Sequence, residues 1–278
     1  MSQSILITGC SSGIGLCAAE TLLKKGYRVF ATARKESDVE KLRELGLESL
    51  QLDVNDSTSI RNALATILEK TGGTLDAVFN NAGYVQPGAI EDLSRDDIRA
   101  QFETNVFGVM ELTTLIIPIM RKQGHGRIIQ NTSILGVVAM PYRGAYNASK
   151  FALEGFTNTL RQELKNTNIH VSIIAPGPIE TKLQDNAHQH YVETLKGKQT
   201  IHTELYKEME KFLILPPDKK HFITSEPDAV VKKLIHALES PNPSAHYFIG
   251  WAAQIFAFLR RILPDKLMDS IAIRSVRT

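Results

Sequence analysis

Short continuous runs of Ile, Leu, Val, Phe and Ala alternate along the chain with longer segments whose apolar residues recur at helical spacing. The short runs have the pattern of strands buried on both faces, and apolar positions at i, i+3 and i+4 mark one face of a helix. Ile5–Thr8 predicts a first strand, followed by a helix over Gly13–Lys25 that Gly26 ends. Arg28–Ala33 predicts a second strand. Ser37, with Glu40 three residues on, has the form of a capping box and predicts that a helix opens there. Leu50–Leu52 reads as a third strand. A helix then starts at Asp56 or Ser57 and stops near Gly72 and Gly73, and Ala77–Asn80 is a fourth strand. Ser94 and Asp97 open a long helix toward Met120. Arg127–Thr132 is a fifth strand, Gly144–Lys165 a helix and His170–Ala175 a sixth strand. Ser225, Glu226 and Pro227 cap a further helix to Leu238, and Tyr247–Gly250 supplies a seventh strand.

Strands alternating with helices predict an α/β architecture: a Rossmann-like, doubly wound parallel seven-stranded sheet with helices on both faces. No internal repeat and no Pro/Gly/Ser linker divides the chain, so residues 1–278 read as a single domain. Two stretches break the rhythm. Residues 182–224 are polar, carry His188, His190 and His202 and contain a Pro216-Pro217 break. They fall at the carboxyl edge of the sheet, where ligands bind in such folds, and are expected to form a helical substrate lid. Residues 251–278 form an apolar C-terminal extension interspersed with Arg260, Arg261 and Lys266. That composition suits a cover over a pocket, a buried dimer face or peripheral contact with a membrane.

Composition narrows the function classes. With 278 residues the chain can bury a substantial core. Its 43% hydrophobic and 22% charged content excludes a disordered protein. A net charge of +2 gives no support for a nucleic-acid partner. Cys10 and Cys17 lie in the first loop and helix, where a stabilising bridge is not expected, and they fit a reducing, cytoplasmic compartment. Met1 to Ser4 lead straight into the first strand, without the pattern of a signal peptide. No uninterrupted apolar run approaches the roughly 18 residues of a spanning helix. The three histidines of the lid are joined by no Cys or Glu-x-x-His pattern, so no metal site is expected.

Two spacings carry candidate chemistry. Tyr146 and Lys150 lie four residues apart in YNASK, on one face of the predicted helix, with Ser133 thirteen residues upstream. An ammonium beside a phenol favours phenolate, so the Tyr146 pKa is expected to drop from roughly 10. Such a tyrosine can exchange the proton that carbonyl–alcohol interconversion requires. The loop ITGCSSGIG places Gly9, Gly13 and Gly15 between the first strand and first helix. Glycines there permit a tight turn and bring backbone close to a pyrophosphate at a helix N-terminus. The spacing, G-x3-G-x-G, differs from the common dinucleotide fingerprint G-x-G-x-x-G.

Taken together, TGCSSGIG at Thr8–Gly15, NNAG at Asn80–Gly83, Asn105 in NVFG, Ser133, YNASK at Tyr146–Lys150 and PGPIET at Pro176–Thr181 resemble the short-chain dehydrogenase/reductase family. The chain further resembles the branch containing NADP-dependent aldehyde reductases, retinol dehydrogenases and 17β-hydroxysteroid dehydrogenases. The resemblance implies that Tyr146 is the general acid in reduction and the base in oxidation, with Lys150 lowering its pKa and holding the nicotinamide ribose. It implies that Ser133 hydrogen-bonds the substrate oxygen and that Asn105 holds a water linking Lys150 to solvent. Implied cofactor contacts are Gly9, Ser11, Ser12, Gly13, Ile14 and Gly15 at the phosphates, Asp53 and Val54 at adenine, and Asn81, Ala82 and Gly83 after the fourth strand. Pro176, Gly177, Ile179 and Thr181 are implied at the nicotinamide. The family's NAD enzymes usually carry an acid at the end of the second strand. Ala33 stands there, followed by Arg34 and Lys35, which suits a 2′-phosphate and implies NADP(H) over NAD(H). Ser12 occupies a position where many NADP-preferring members carry a base.

The implied activity is hydride transfer between nicotinamide and the carbonyl or alcohol carbon of a hydrophobic aldehyde, ketone, retinoid or steroid. The implied assembly is a homodimer through the helices carrying Asn105 and Tyr146. Two alternatives remain. Nucleotide-sugar epimerases and dehydratases share YxxxK, but have a shorter first glycine spacing and a larger C-terminal domain. A non-catalytic NADP-binding redox sensor would not need the intact Ser133–Tyr146–Lys150 set.

Overall fold

All seven predicted apolar runs enter one parallel sheet. In the computed structural model, which describes residues 2–214 and 224–277, the strands are β1 Ser4–Ile7, β2 Arg28–Ala33, β3 Glu48–Gln51, β4 Ala77–Asn80, β5 Gly126–Asn131, β6 Ile169–Pro176 and β7 His246–Ile249. Their spatial order is β3-β2-β1-β4-β5-β6-β7. The chain winds outward from β1 to β3 and then returns to β4 on the other side of β1. This reversal opens a crevice beyond the carboxyl ends of β1 and β4.

Successive strand residues face opposite sides, so each side builds its own core. Ile5, Ile7 and Phe79 pack with Leu22 of α1 (Gly13–Lys24), Val39 and Leu42 of α2 (Glu36–Glu44), and Val230 and Leu234 of α9 (Pro227–Glu239). Leu6, Val78 and Ile128 pack on the other side with Ile60 and Ile67 of α3 (Ser57–Thr71), Leu112 and Ile116 of α5 (Gly108–Gln123), and Leu160 of α6 (Gly144–Glu163).

Local signals placed most element starts. The Asp56 side chain accepts from Thr58 N at 2.8 Å and caps α3. Ser94 and Asp97 form the full capping box of α4 (Arg95–Phe102). The box at Ser37 is not formed. α2 begins at Glu36 with Lys35 at its N-cap and no side-chain cap, leaving Ser37 inside the helix. Glu36 and Asp38 give the first turn the negative charge that favours its exposed N–H groups. β3 opens at Glu48, two residues before the apolar run, because Glu48 pairs with Phe30 of β2.

Between α4 and α5 the helix widens into a π turn, Glu103–Phe107, which contains Asn105. Among the described residues, Arg95–Gln123 is the one helix long and apolar enough to cross a membrane by length and composition. Leu112, Ile116 and Met120 of this helix are buried in the core on the sheet.

Residues 182–224 contain α7 (Leu183–Thr194) and α8 (Thr203–Leu213), and the Pro216-Pro217 break lies outside the described residues. The C-terminal extension forms α10 (Trp251–Ile262) and α11 (Asp265–Arg277).

Candidate active site

The predicted residues converge at the carboxyl edge of β1, β4 and β5. β5 ends at Asn131, and Ser133 starts a 3-10 turn over Ile134–Gly136, its hydroxyl accepting from Leu135 N at 3.1 Å. The turn lies hard against α6. A Cβ on Gly136 would come within 2.9 Å of Glu154 Cγ and 3.1 Å of the Lys150 carbonyl oxygen. That close approach brings the Ser133 hydroxyl into hydrogen bonding with the Tyr146 phenol, in the first turn of α6. Lys150 lies one turn further on. Its ammonium donates to the Asn131 carbonyl at 2.9 Å and sits 5.7 Å from the centre of the Tyr146 ring.

Burial controls the electrostatics here. It pushes the Tyr146 phenol above its ordinary pKa, against the opposing pull of the Ser133 hydrogen bond and the Arg143 guanidinium. The expected drop driven by Lys150 is therefore absent. The same burial lowers Lys150 to about 8, and the Glu154 carboxylate one turn along pulls it back upward. Desolvation disfavours whichever form is charged, so a buried phenol rises while a buried ammonium falls.

A chain of short polar contacts runs from Lys150 to the glycine turn. Asn131 Nδ2 donates to Asn81 Oδ1 at 2.9 Å, and Asn81 Nδ2 donates to the carbonyls of Thr8 at 3.0 Å and Gly9 at 3.2 Å. The Thr8 hydroxyl accepts from the backbone N–H groups of Asn81 and Ala82. Gly9 and Gly13 have φ of +72° and +59°. A Cβ at Gly15 would collide with the Gly9 carbonyl. Ser12, at the N-cap of α1, makes no side-chain cap bond, and the first turn holds no acid. The exposed N–H groups at that helix end thus keep their capacity for an anion. Ser11 is exposed and Ile14 packs against the core.

Beyond the end of β2 lies a cleft of about 390 Å³ lined by Arg34, Gln51, Asp53, Asp56, Thr58, Ser59 and Asn62. Arg34 and Lys35 are exposed and engaged in no ion pair among the described residues. Asp53 Oδ1 accepts from Asn55 N at 2.9 Å, and Val54 is buried in the core. At the opposite end, the loop after β6 folds back over the glycine turn. Gly177 N donates to the Ile249 carbonyl at 2.9 Å, Ile179 bridges to Ser225, and the Thr181 methyl meets Gly13.

These residues fit a dinucleotide: a glycine turn with an uncapped helix end, a cleft beside a cation without a partner, and Asn131 Oδ1 buried with no hydrogen-bond partner among the described residues.

Asn105 is fully buried. Its amide accepts from Tyr84 N at 3.1 Å and donates to the Tyr84 carbonyl at 3.0 Å and the Ser149 hydroxyl at 3.1 Å. Both of its donors are thus committed to protein. Beside Tyr146 the wall is apolar: Ile134, Leu135, Val138, Ala253, Ala257 and Met268 are buried with it, and Met140, Phe256, Leu259 and Leu263 pack against them. α7 contributes His190, stacked on Tyr84 with ring centres 4.2 Å apart, its imidazole pKa lowered by burial. His188 and His202 turn instead to Glu210 and Glu91.

Three contributors were not singled out from sequence. Asn131 holds Lys150, and Gly136 lets the serine turn meet α6. Glu154 joins Thr132 at 2.7 Å and His246 at 2.6 Å below Lys150. Only Glu154 had a local signal, because it repeats the four-residue spacing of Tyr146 and Lys150.

Known proteins resemble this chain along most of its length. The sequence profile of the short chain dehydrogenase family matches residues 3–192. The chain is 38% identical over 274 residues to the oxidoreductase YbbO of Escherichia coli (strain K12), covering 98% of this chain and 94% of that one. It is 33% identical over 269 residues to a 3-ketodihydrosphingosine reductase of Bacteroides thetaiotaomicron, covering 96% and 95% of the two chains. A solved actinorhodin polyketide ketoreductase with NADPH superposes with a TM-score of 0.72 at 29% identity, covering 89% of this chain and 95% of that one.

Proposed function

The chain belongs to the short-chain dehydrogenase family, and from that premise we propose that it is an NADP-dependent carbonyl reductase and alcohol dehydrogenase for hydrophobic aldehydes, ketones, retinoids or steroids. The observation that carries this reading is the Ser133–Tyr146–Lys150 cluster buried beneath the apolar side chains of α10 and α11.

The residues that would hold the cofactor are the Gly9–Gly15 turn with Ser11, Ser12 and Ile14 at the phosphates, Arg34 at the 2′-phosphate, Asp53 and Val54 at adenine, Asn81 to Gly83 and Lys150 at the ribose, and Pro176, Gly177, Ile179 and Thr181 at the nicotinamide. The bound nicotinamide supplies a hydride to the carbonyl carbon in reduction and receives one in oxidation. Tyr146 donates the proton to the carbonyl oxygen, and its upward-shifted pKa keeps that proton in place through neutral pH. The Ser133 hydroxyl donates a hydrogen bond to the same oxygen and stabilises the charge developing there. Lys150, anchored by the Asn131 carbonyl, favours the phenolate left after the proton has moved. A Cβ at Gly83 would lie 3.1 Å from Asn105 Oδ1 and 3.7 Å from Lys150 Nζ. Its absence leaves room there for a water reprotonating the site, held by the remaining lone pair of Asn105.

The apolar wall supports a carbonyl carried on an apolar body, in keeping with a relative named for a sphingoid ketone. The same proposal takes 1–278 as one catalytic unit in the cytoplasm, with 182–224 as lid. Exposed Phe107 and Phe151, on the helices carrying Asn105 and Tyr146, support pairing into a homodimer. Mixing the protein with NADPH and a panel of aliphatic aldehydes, retinal and ketosteroids tests the activity. Cofactor consumption with at least one lipophilic carbonyl is expected, and none across the panel refutes the proposal.

A further inference from the structure

α10 carries apolar residues on two opposite faces. On one, Ala253 and Ala257 are buried and Phe256 and Leu259 half-buried over Tyr146. The other is exposed among the described residues: Ile255, Phe258 and Ile262 are 47%, 62% and 58% exposed. Spacings of three and four residues set these side chains in one stripe, about 10 Å from first to last. A surface helix of a globular protein ordinarily turns polar residues to water, so this face is the reverse of the usual pattern. Leu267 and Ile273 of α11 add further exposed apolar surface.

The charge around the stripe selects what it meets. α10 contains no acidic residue, and residues 251–278 hold five Lys or Arg against two Asp. Arg261 is exposed beside the stripe, and Lys266 and Arg274 are exposed on α11. Of the two acids, Asp265 is paired with Arg260 at 2.6 Å. An apolar helix face rimmed by cations matches the interfacial plane of an anionic bilayer. A second copy is the poorer match. Two-fold pairing would bring the same cationic rim to both sides of the contact, with no carboxylate on α10 to meet it.

We propose that the outer stripe of α10 docks the protein onto the surface of an anionic phospholipid bilayer, so that a lipophilic carbonyl compound passes from the membrane to the site beneath the same helix. Delivery to Tyr146 rests on the carbonyl-reductase reading; docking does not.

Flotation of the full chain with vesicles of phosphatidylglycerol and phosphatidylcholine, or of phosphatidylcholine alone, tests it. Wild type is expected to float with the anionic vesicles and to be released by salt. Phe258→Ser with Ile262→Ser should lower the partition by about ten-fold or more, and Arg261→Glu by about five-fold. Both variants should keep wild-type turnover of a short water-soluble aldehyde. Failure of wild type to float with anionic vesicles, or equal flotation of the double variant, overturns docking. So does a wild-type dimer that floats with neither vesicle and that the double variant converts to monomer in sedimentation velocity. A wild type that floats but turns over no carbonyl upholds docking and removes the activity instead.

Discussion

The polar side of the crevice, proposed to hold the cofactor, and its apolar side, proposed to hold the substrate, are built from different materials. From Gly9 to Lys150 the geometry is set by backbone and short polar side chains: Thr8, Asn81 and Asn131 link the glycine turn to the ammonium through contacts of 2.9 to 3.2 Å. From Met140 to Met268 the wall is apolar side chains, held by burial. Hydrogen-bonded backbone geometry admits few residues at each position, and those residues appear as motifs. An apolar wall needs the right volume rather than a particular residue, so substrate choice lies where the sequence shows least pattern.

Four changes sharpen that contrast. The largest is Gly15→Ala, whose new Cβ would collide with the Gly9 carbonyl. With backbone as the obstacle the cost lies at or above the upper end of the roughly 1–3 kcal/mol of overpacking, so calorimetry should show a lower Tm and NADP(H) binding weakened by about 100-fold or more. Next is Arg34→Asp. Removing a cation from a phosphate contact and adding a repulsive charge costs about 1.5–3 kcal/mol. The kcat/KM ratio of NADPH to NADH should fall by about 10- to 100-fold, and an unchanged ratio removes Arg34 from the 2′-phosphate site.

The third is a pH profile. Tyr146 is shifted upward, so its proton is retained at neutral pH, while Lys150 is lowered to about 8. Reduction should be level below this value and decline as pH rises through it, because Lys150 loses its charge. Glu154 pulls the lysine upward, so Glu154→Gln should move the decline to lower pH, and a move to higher pH contradicts the assignment. The smallest effect belongs to the apolar wall. Leu259→Met conserves volume and costs less than about 1.5 kcal/mol, leaving reduction of a small aldehyde within a few-fold of wild type.

The same division governs what could be read in advance. Ser94 and Asp97 were legible because a capping box is a contact within four residues, and Ala77–Asn80 because polar residues bound the apolar run. Ser37 carried the same signature and misled, since α2 starts one residue earlier with Glu36 in its first turn. The Tyr146–Lys150 spacing put the two side chains on one face of α6, as the structure has them, but gave the wrong sign for the tyrosine shift. Spacing registers a neighbouring charge and not the burial that outweighs it. Asn131, Gly136 and the Glu154–His246 contact arise from packing between elements distant in sequence. α10 mixes apolar and basic residues in a way that fits cover, interface or membrane, and only the fold separates its buried face from its exposed one.

The central claim is that Tyr146 passes the proton in carbonyl reduction. The most direct measurement is kcat/KM for a lipophilic aldehyde with NADPH, taken beside the NADPH dissociation constant, for wild type and Tyr146→Phe. Loss of general acid catalysis predicts a fall of about 10²–10⁴-fold with cofactor affinity within a few-fold of wild type. A variant that binds NADPH and still reduces the aldehyde at near wild-type rate would contradict the account.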